Sequence, residues 1–134
     1  MDKSSPVSII PTLTVQHGAA AIEFYKKAFG AVELTRMTGD QGDVVAEMAI
    51  GTARIVVADE SPEHKHYGPE SLGGTPVRIG LVVDDPDTIA AQAVAAGAKE
   101  IYPVADQHYG YRLGHIVDPF GHHWEICKPL PKKQ

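Results

Sequence analysis

Residues 114–126, GHIVDPFGHHWEI, place His115, His122 and His123 beside Asp118 and Glu125 within 13 positions. Imidazole and carboxylate suit a borderline divalent cation, and two imidazoles with one carboxylate, here His115, His123 and Glu125, is the composition of several catalytic metal sites. Glu125 is equally a candidate general base if burial raises its pKa. Which chemistry is open depends on which side chains share a face. Asp118 and Pro119 can open a type I turn, and Gly121 can supply the left-handed position that closes a three-residue hairpin loop. With Asp118 and His122 flanking the loop, the next pairs are Val117 with His123, Ile116 with Trp124, His115 with Glu125 and Gly114 with Ile126. Alternation then puts His115, His123 and Glu125 on one face, flanked by Leu113, Val117 and Cys127. Ile116, Trp124 and Ile126 form the other face, apolar enough to lie against a helix. His122 reads as a solvent-facing turn residue.

The elements that must carry this hairpin repeat. Sliding the sequence over itself by 67 residues lays 15–33 over 82–100 with six identities in 19 positions, including a Gly-Ala after each helical stretch. Each copy reads as strand, helix and three short strands. IIPTLTV (9–15) and VRIGLVV (77–83) are the leading strands. Asp85, Pro86 and Gly97 give the second helix its cap, first position and stop, while Ile22, Tyr25, Ala28 and Phe29 form the buried stripe of the first helix, ended by Gly30. The expected fold is α+β, one domain over 1–134, with a βαβββ module at about 7–60, a linker at about 61–75 and a second module at about 76–128. The linker is polar and rich in Gly and Pro, so it reads as a mobile connection. Strand alternation sends Leu13, Val15, Val77, Ile79, Leu81 and Val83 to the helix side. It leaves Ile10, Thr12, Thr14, Arg78, Gly80 and Val82 on the face where a pocket would lie, and Arg78 there needs a partner or water.

Composition narrows the function classes. A net charge of −5 with scattered Lys and Arg offers no basic face to nucleic acid. The N-terminus lacks the apolar run of a signal peptide or membrane span, and the single cysteine, Cys127, has no internal disulfide partner, so a cytoplasmic protein without a membrane partner is expected. Cys127 has no activating base in sequence and reads as a strand residue. His64 and His66 in the linker read as part of a solvated loop. No Ser-His-Asp order, phosphate loop or zinc-finger spacing appears.

A repeated βαβββ module ending in a D-P-x-G hairpin resembles the vicinal oxygen chelate (glyoxalase, bleomycin resistance and dioxygenase) superfamily over nearly the whole chain. AAAIEFYKKAFGA, ADESP at 58–62, LGGTP at 72–76, VDD at 83–85 and YGYRLGHIVDPFGHHWEI look most like its PhnB-like branch. The resemblance implies a curved, cup-shaped mixed sheet made by the two modules with helices on the outer face, a ligand or metal in the cup, and a homodimer. Metal-using members place one ligand on the first and one on the last strand of each module. By strand position those places hold Ile10, about Val56, Arg78 and Glu125, and only Glu125 is a ligand type. The resemblance thus implies no metal centre of the family kind, with Arg78 pairing Glu125 where the metal charge would stand.

Ligand-contact candidates are therefore Arg78, Glu125, His115, Thr12 and Thr14, joined by His108, Tyr109, Tyr111 and Arg112 of the DQHYGYR stretch (106–112), which can stack on and hydrogen-bond to a flat or anionic molecule or else pack on a dimer partner. Three readings follow. The first is a dimeric small-molecule binder without metal or other cofactor, holding an aromatic or apolar metabolite or antibiotic. The alternative is a metal-dependent lyase, isomerase or dioxygenase with a relocated divalent-metal site at His115, His123 and Glu125. The third is a metal-free enzyme with Glu125 as base and Arg78 steering an anionic substrate.

Overall fold

The computed structural model describes residues 6–132. β1 (Thr12–Val15) leads into α1 (Gly18–Phe29), and β2 (Val32–Thr38), β3 (Val44–Ile50) and β4 (Ala53–Asp59) follow. After a connection holding the short helix α2 (Pro69–Leu72), β5 (Arg78–Val82), α3 (Pro86–Ala96), β6 (Lys99–Asp106), β7 (Tyr111–Val117) and β8 (His123–Pro129) repeat the order. The class is α+β with two tandem βαβββ modules, as expected. Each module forms its own mixed four-stranded sheet, β1-β4-β3-β2 and β5-β8-β7-β6, with the first strand parallel to the last and the other ladders antiparallel. No strand ladder joins the two sheets among the described residues.

The helices start and stop for local reasons. Gly30 takes φ +67° and donates to the carbonyl of Lys26, ending α1 in the left-handed conformation that glycine adopts without strain. The Asp85 carboxylate accepts from the Thr88 amide at 3.1 Å and caps α3, with Pro86 at its first position. α1 has no cap of its own. Instead Asp59, at the end of β4, accepts from the Gly18 amide at 2.7 Å with one oxygen and from the Val44 amide at 2.7 Å with the other. One carboxylate thus serves the helix start and the edge of β3 together, and it places negative charge at the positive end of the helix dipole.

The helix sides of both sheets share one core. Ile22, Tyr25, Ala28 and Phe29 are buried along α1, and Leu81, Ile116, Trp124 and Ile126 come from the second sheet. Phe29 and Tyr25 pack on Trp124 at 4.7 and 5.7 Å between ring centroids. The Gln92 amide of α3 donates to the carbonyls of Lys27 and Ala28 on α1. At the centre lies Asp118, only 4% exposed. It accepts from the Tyr25 hydroxyl at 2.5 Å and Trp124 Nε1 at 2.9 Å with one oxygen, and from the amides of Phe120 and His122 with the other. The hairpin turn that opened the sequence reading is therefore the joint between the modules.

Two expectations are corrected here. The linker is folded: residues 62–64 make a 3-10 turn, Ser61 and His66 form an antiparallel bridge, and α2 follows. Gly68 lies so close to β1 that a Cβ would be 2.8 Å from the Thr14 carbonyl, and Pro69 is buried against Gly121 of the hairpin turn. His122 does not face solvent alone. Its Nε2 hydrogen-bonds the Thr14 carbonyl at 2.8 Å, tying the same turn to β1.

Candidate functional site

The β7–β8 register has the pairs Val117/His123, Ile116/Trp124, His115/Glu125 and Gly114/Ile126. Gly80 pairs with Glu125, and Tyr102 with His115, so one row crosses the second sheet as Gly80, Glu125, His115, Tyr102. The next row toward the hairpin turn is Arg78, His123, Val117, Lys99. At about 4.8 Å between strands, each row spans roughly 14 Å. These residues face away from the helices, on the open face of the sheet.

Three contacts organise it. Arg78 Nε lies 3.3 Å from a Glu125 carboxylate oxygen, with the Arg78 side chain more than half exposed. His115 Nε2 and His123 Nδ1 are hydrogen-bonded at 2.8 Å, so one ring must offer an unprotonated nitrogen to the other. The Tyr102 ring lies 5.9 Å from that of His115. Burial, and then the neighbouring His123, hold the His115 imidazole below its ordinary pKa, against the pull of Glu125. Its neutral form is thereby favoured, consistent with an acceptor or donor and not a fixed cation. Cys127 sits beyond Glu125 on the same strand, where burial and the nearby carboxylate push its thiol pKa up, the opposite of activation.

Other sequence candidates scatter. Arg112 faces the helix side, where Nε and Nη2 grip both oxygens of Asp87 on α3 at 2.7 and 2.8 Å and Nη1 reaches Asp106 at 2.9 Å. This bidentate pairing removes Arg112 from the ligand contacts, and it is a correction. His108 and Tyr109 lie in the turn between β6 and β7, ring against ring at 5.2 Å, at the end of the hairpin away from Asp118. Tyr111 is on the open face opposite Pro129, two rows beyond His115. Thr12 and Thr14 stand on the open face of the first sheet, opposite Val56 and Ala58. That face is otherwise apolar, with Ile10, Val45 and Met37 exposed and an Arg54–Glu47 ion pair at 3.6 Å.

A separate cavity of about 1160 Å³ opens between the start of α1, residues 39–43 and residues 60–66, and takes in His64 and His66. It contains none of the second-sheet residues, is rimmed by Asp40, Asp43, Glu60 and Glu63, and its helix terminus is already capped by Asp59. Sequence reasoning missed this depression because it is made of turns that carry no periodic signal.

With two βαβββ modules and this open face described, relatives can be placed. The sequence model of the Glyoxalase/Bleomycin resistance protein/Dioxygenase superfamily matches residues 9–126. The chain belongs to this superfamily. An uncharacterised protein of Mycobacterium tuberculosis strain H37Rv is 42% identical over 127 residues, covering 92% of this chain and 75% of that protein. Among solved structures, TioX from Micromonospora sp. ML1 superposes with a TM-score of 0.73 at 24% identity, covering 93% of this chain and all of that one. TnmS3, an antibiotic binding protein from Streptomyces sp. CB03234, superposes with a TM-score of 0.71 at 21% identity, over 96% of this chain and 99% of that one. At these identities the two structures show the shared fold.

Members of the superfamily that use a metal draw one ligand from each of four strand places, and the residues here do not fit that set. Ile10 and Val56 are apolar, Arg78 is a cation, and Glu125 is engaged with Arg78. A single carboxylate already facing a guanidinium does not make a closed divalent site. Among the described residues no group of three His, Cys, Asp or Glu side chains converges on a common point.

Proposed function

We propose that this protein is a small-molecule binder that holds a flat aromatic or otherwise apolar metabolite or antibiotic on the open face of its second sheet, without a metal cofactor. The observation that carries this reading is the Arg78–Glu125 pair standing at two of the four places where metal-using relatives keep ligands. Its charge balance takes over the role of the ion, and the neighbouring surface of Gly80, Val82, His115 and Tyr102 is open and largely apolar or aromatic. Apolar and aromatic surface with a few fixed polar groups is what small-molecule recognition draws on. The antibiotic-binding activity named for TnmS3, on the same fold, agrees with it. No described helix is long and apolar enough to cross a membrane. The reading places the protein in the cytoplasm, with no membrane or nucleic-acid partner.

Elemental analysis after chelation and separate reloading with zinc, nickel, manganese and ferrous iron tests the metal-free part. Retention of no stoichiometric ion is expected. One tightly held ion per chain, lost in His115→Ala, would sink it and favour the second reading, a lyase, isomerase or dioxygenase. The observation favouring that alternative is the 2.8 Å approach of the His115 and His123 nitrogens beside Glu125.

The reading also includes a homodimer. Met37 and Val45 on the first sheet and Val82 and Tyr102 on the second are exposed, and a second copy of the chain packed on either face would cover them. Sedimentation at micromolar concentration is expected to give twice the chain mass of 14.4 kDa. A monomer mass would count against a cup shared between chains.

A further inference from the structure

Resting on the binding reading above, we infer that the ligand is an organic anion: a flat aromatic ring bearing one carboxylate or similar oxyacid group, with the charge on Arg78 and the ring laid across Gly80.

The two rows of the second sheet differ in charge. Arg78 and Lys99 stand at the two ends of the row nearest the hairpin turn, with His123 and Val117 between them, and Glu125 in the next row is the only carboxylate among the paired strand residues described on this face. The face therefore carries two cations against one anion, on a chain whose net charge is −5. A locally positive surface on an acidic protein attracts small anions and repels cations. Arg78 has capacity to spare. Its contact with Glu125 is a single 3.3 Å approach by Nε, and the guanidinium donates no hydrogen bond to another described side chain. Arg112 shows the contrast: all three of its nitrogens are spent on Asp87 and Asp106. The terminal nitrogens of Arg78 thus present a planar fork matched to two oxygens of a carboxylate.

The space beside the fork is shaped for a ring. Gly80 follows Arg78 on the same face, and a Cβ built on it meets nothing within 4 Å. Its φ is not in the left-handed region, so no backbone conformation requires glycine here. What the missing side chain does provide is bare floor between Arg78 and Val82. The Glu125 aliphatic stem, the His115 ring and the exposed Tyr102 ring continue that floor along the row. An aromatic ring resting there would lie over Gly80 and the Glu125 stem with its far edge toward His115, while its acid group reached the guanidinium.

The test uses two fluorescent probes with the same rings, anilinonaphthalenesulfonate and uncharged phenylnaphthylamine, titrated into the full chain. The sulfonate is expected to bind more tightly than the amine. In the doubly neutral variant Arg78→Gln/Glu125→Gln, which leaves no unpaired carboxylate, sulfonate affinity is expected to fall about tenfold, the weight of one charge-assisted bidentate contact, while the amine is unchanged. Gly80→Leu, which the empty space and ordinary φ allow to fold, is expected to block both probes at unchanged thermal midpoint. If both probes bind wild type and both ignore the loss of Arg78, the anion inference is overturned while the binding reading stands. If both bind and Gly80→Leu blocks neither, the ring is not on this floor and the inference fails too. If neither probe binds wild type, both readings fall.

Discussion

Replacing Asp118 with alanine is expected to destabilise the protein by about 3–5 kcal/mol, a large share of the roughly 5–15 kcal/mol that holds a domain folded. The buried carboxylate accepts four hydrogen bonds, all from neutral donors, and makes no ion pair among the described residues. Alanine would leave the Tyr25 hydroxyl and the Trp124 indole buried without an acceptor, each at a cost of about 1–3 kcal/mol, and would release the amides of Phe120 and His122. Urea denaturation measures the difference. A loss below about 1 kcal/mol would show that the modules are joined by apolar packing and not by this network. Asp118→Asn keeps one acceptor oxygen and should cost less. Burial first, and then the Asp118 charge, push the Tyr25 pKa well above its ordinary value. A raised folded-state pKa means that the folded chain holds its proton longer. The contribution is therefore complete below about pH 10, the ordinary phenol range, and is lost as pH climbs above it. Tyr25→Phe should lower stability at neutral pH but flatten this alkaline loss.

The parts of this architecture that obey a short period were open to a reader of the sequence. Alternation along residues 111–127, pinned by the turn at Asp118–Gly121, gives the hairpin register, and alternation along 77–83 puts Arg78 on the Glu125 face. The 67-residue offset reveals the two modules. What escaped lies in contacts between distant residues. Tyr25 and Asp118 are 93 positions apart, and Asp59 caps a helix that begins 41 residues earlier, so neither role leaves a local pattern. Arg112 is different, because the signal was present. Leu113 on the open face already places its neighbour on the helix side, and grouping Arg112 with the DQHYGYR stretch set that alternation aside. The linker misled for a compositional reason: Gly and Pro were read as flexibility, whereas Gly68 and Pro69 are small and rigid enough to seat against β1 and the hairpin turn.

That seating can be measured. Gly121→Val is expected to cost about 2–5 kcal/mol, from two separable causes. Gly121 holds φ +95°, which a β-branched residue resists by about 1–3 kcal/mol. A Cβ there would also lie 2.7 Å from the Pro69 Cβ, closer than packed atoms approach, and relieving such overpacking typically costs about 1–3 kcal/mol. The first cause belongs to the hairpin alone, and the second exists only if the linker is folded onto it. Pro69→Gly removes the opposing Cβ and leaves the φ of residue 121 alone. In a double-mutant cycle, Gly121→Val should therefore be milder by about 1 kcal/mol or more in the Pro69→Gly background. Strict additivity would mean that the connection between the modules does not press on the turn in solution. The measured coupling would instead tie the two modules through a third contact, beside the Asp118 network and the bond from His122 to the Thr14 carbonyl. All three act on the one turn whose position sets where His123 and Glu125 stand on the open face.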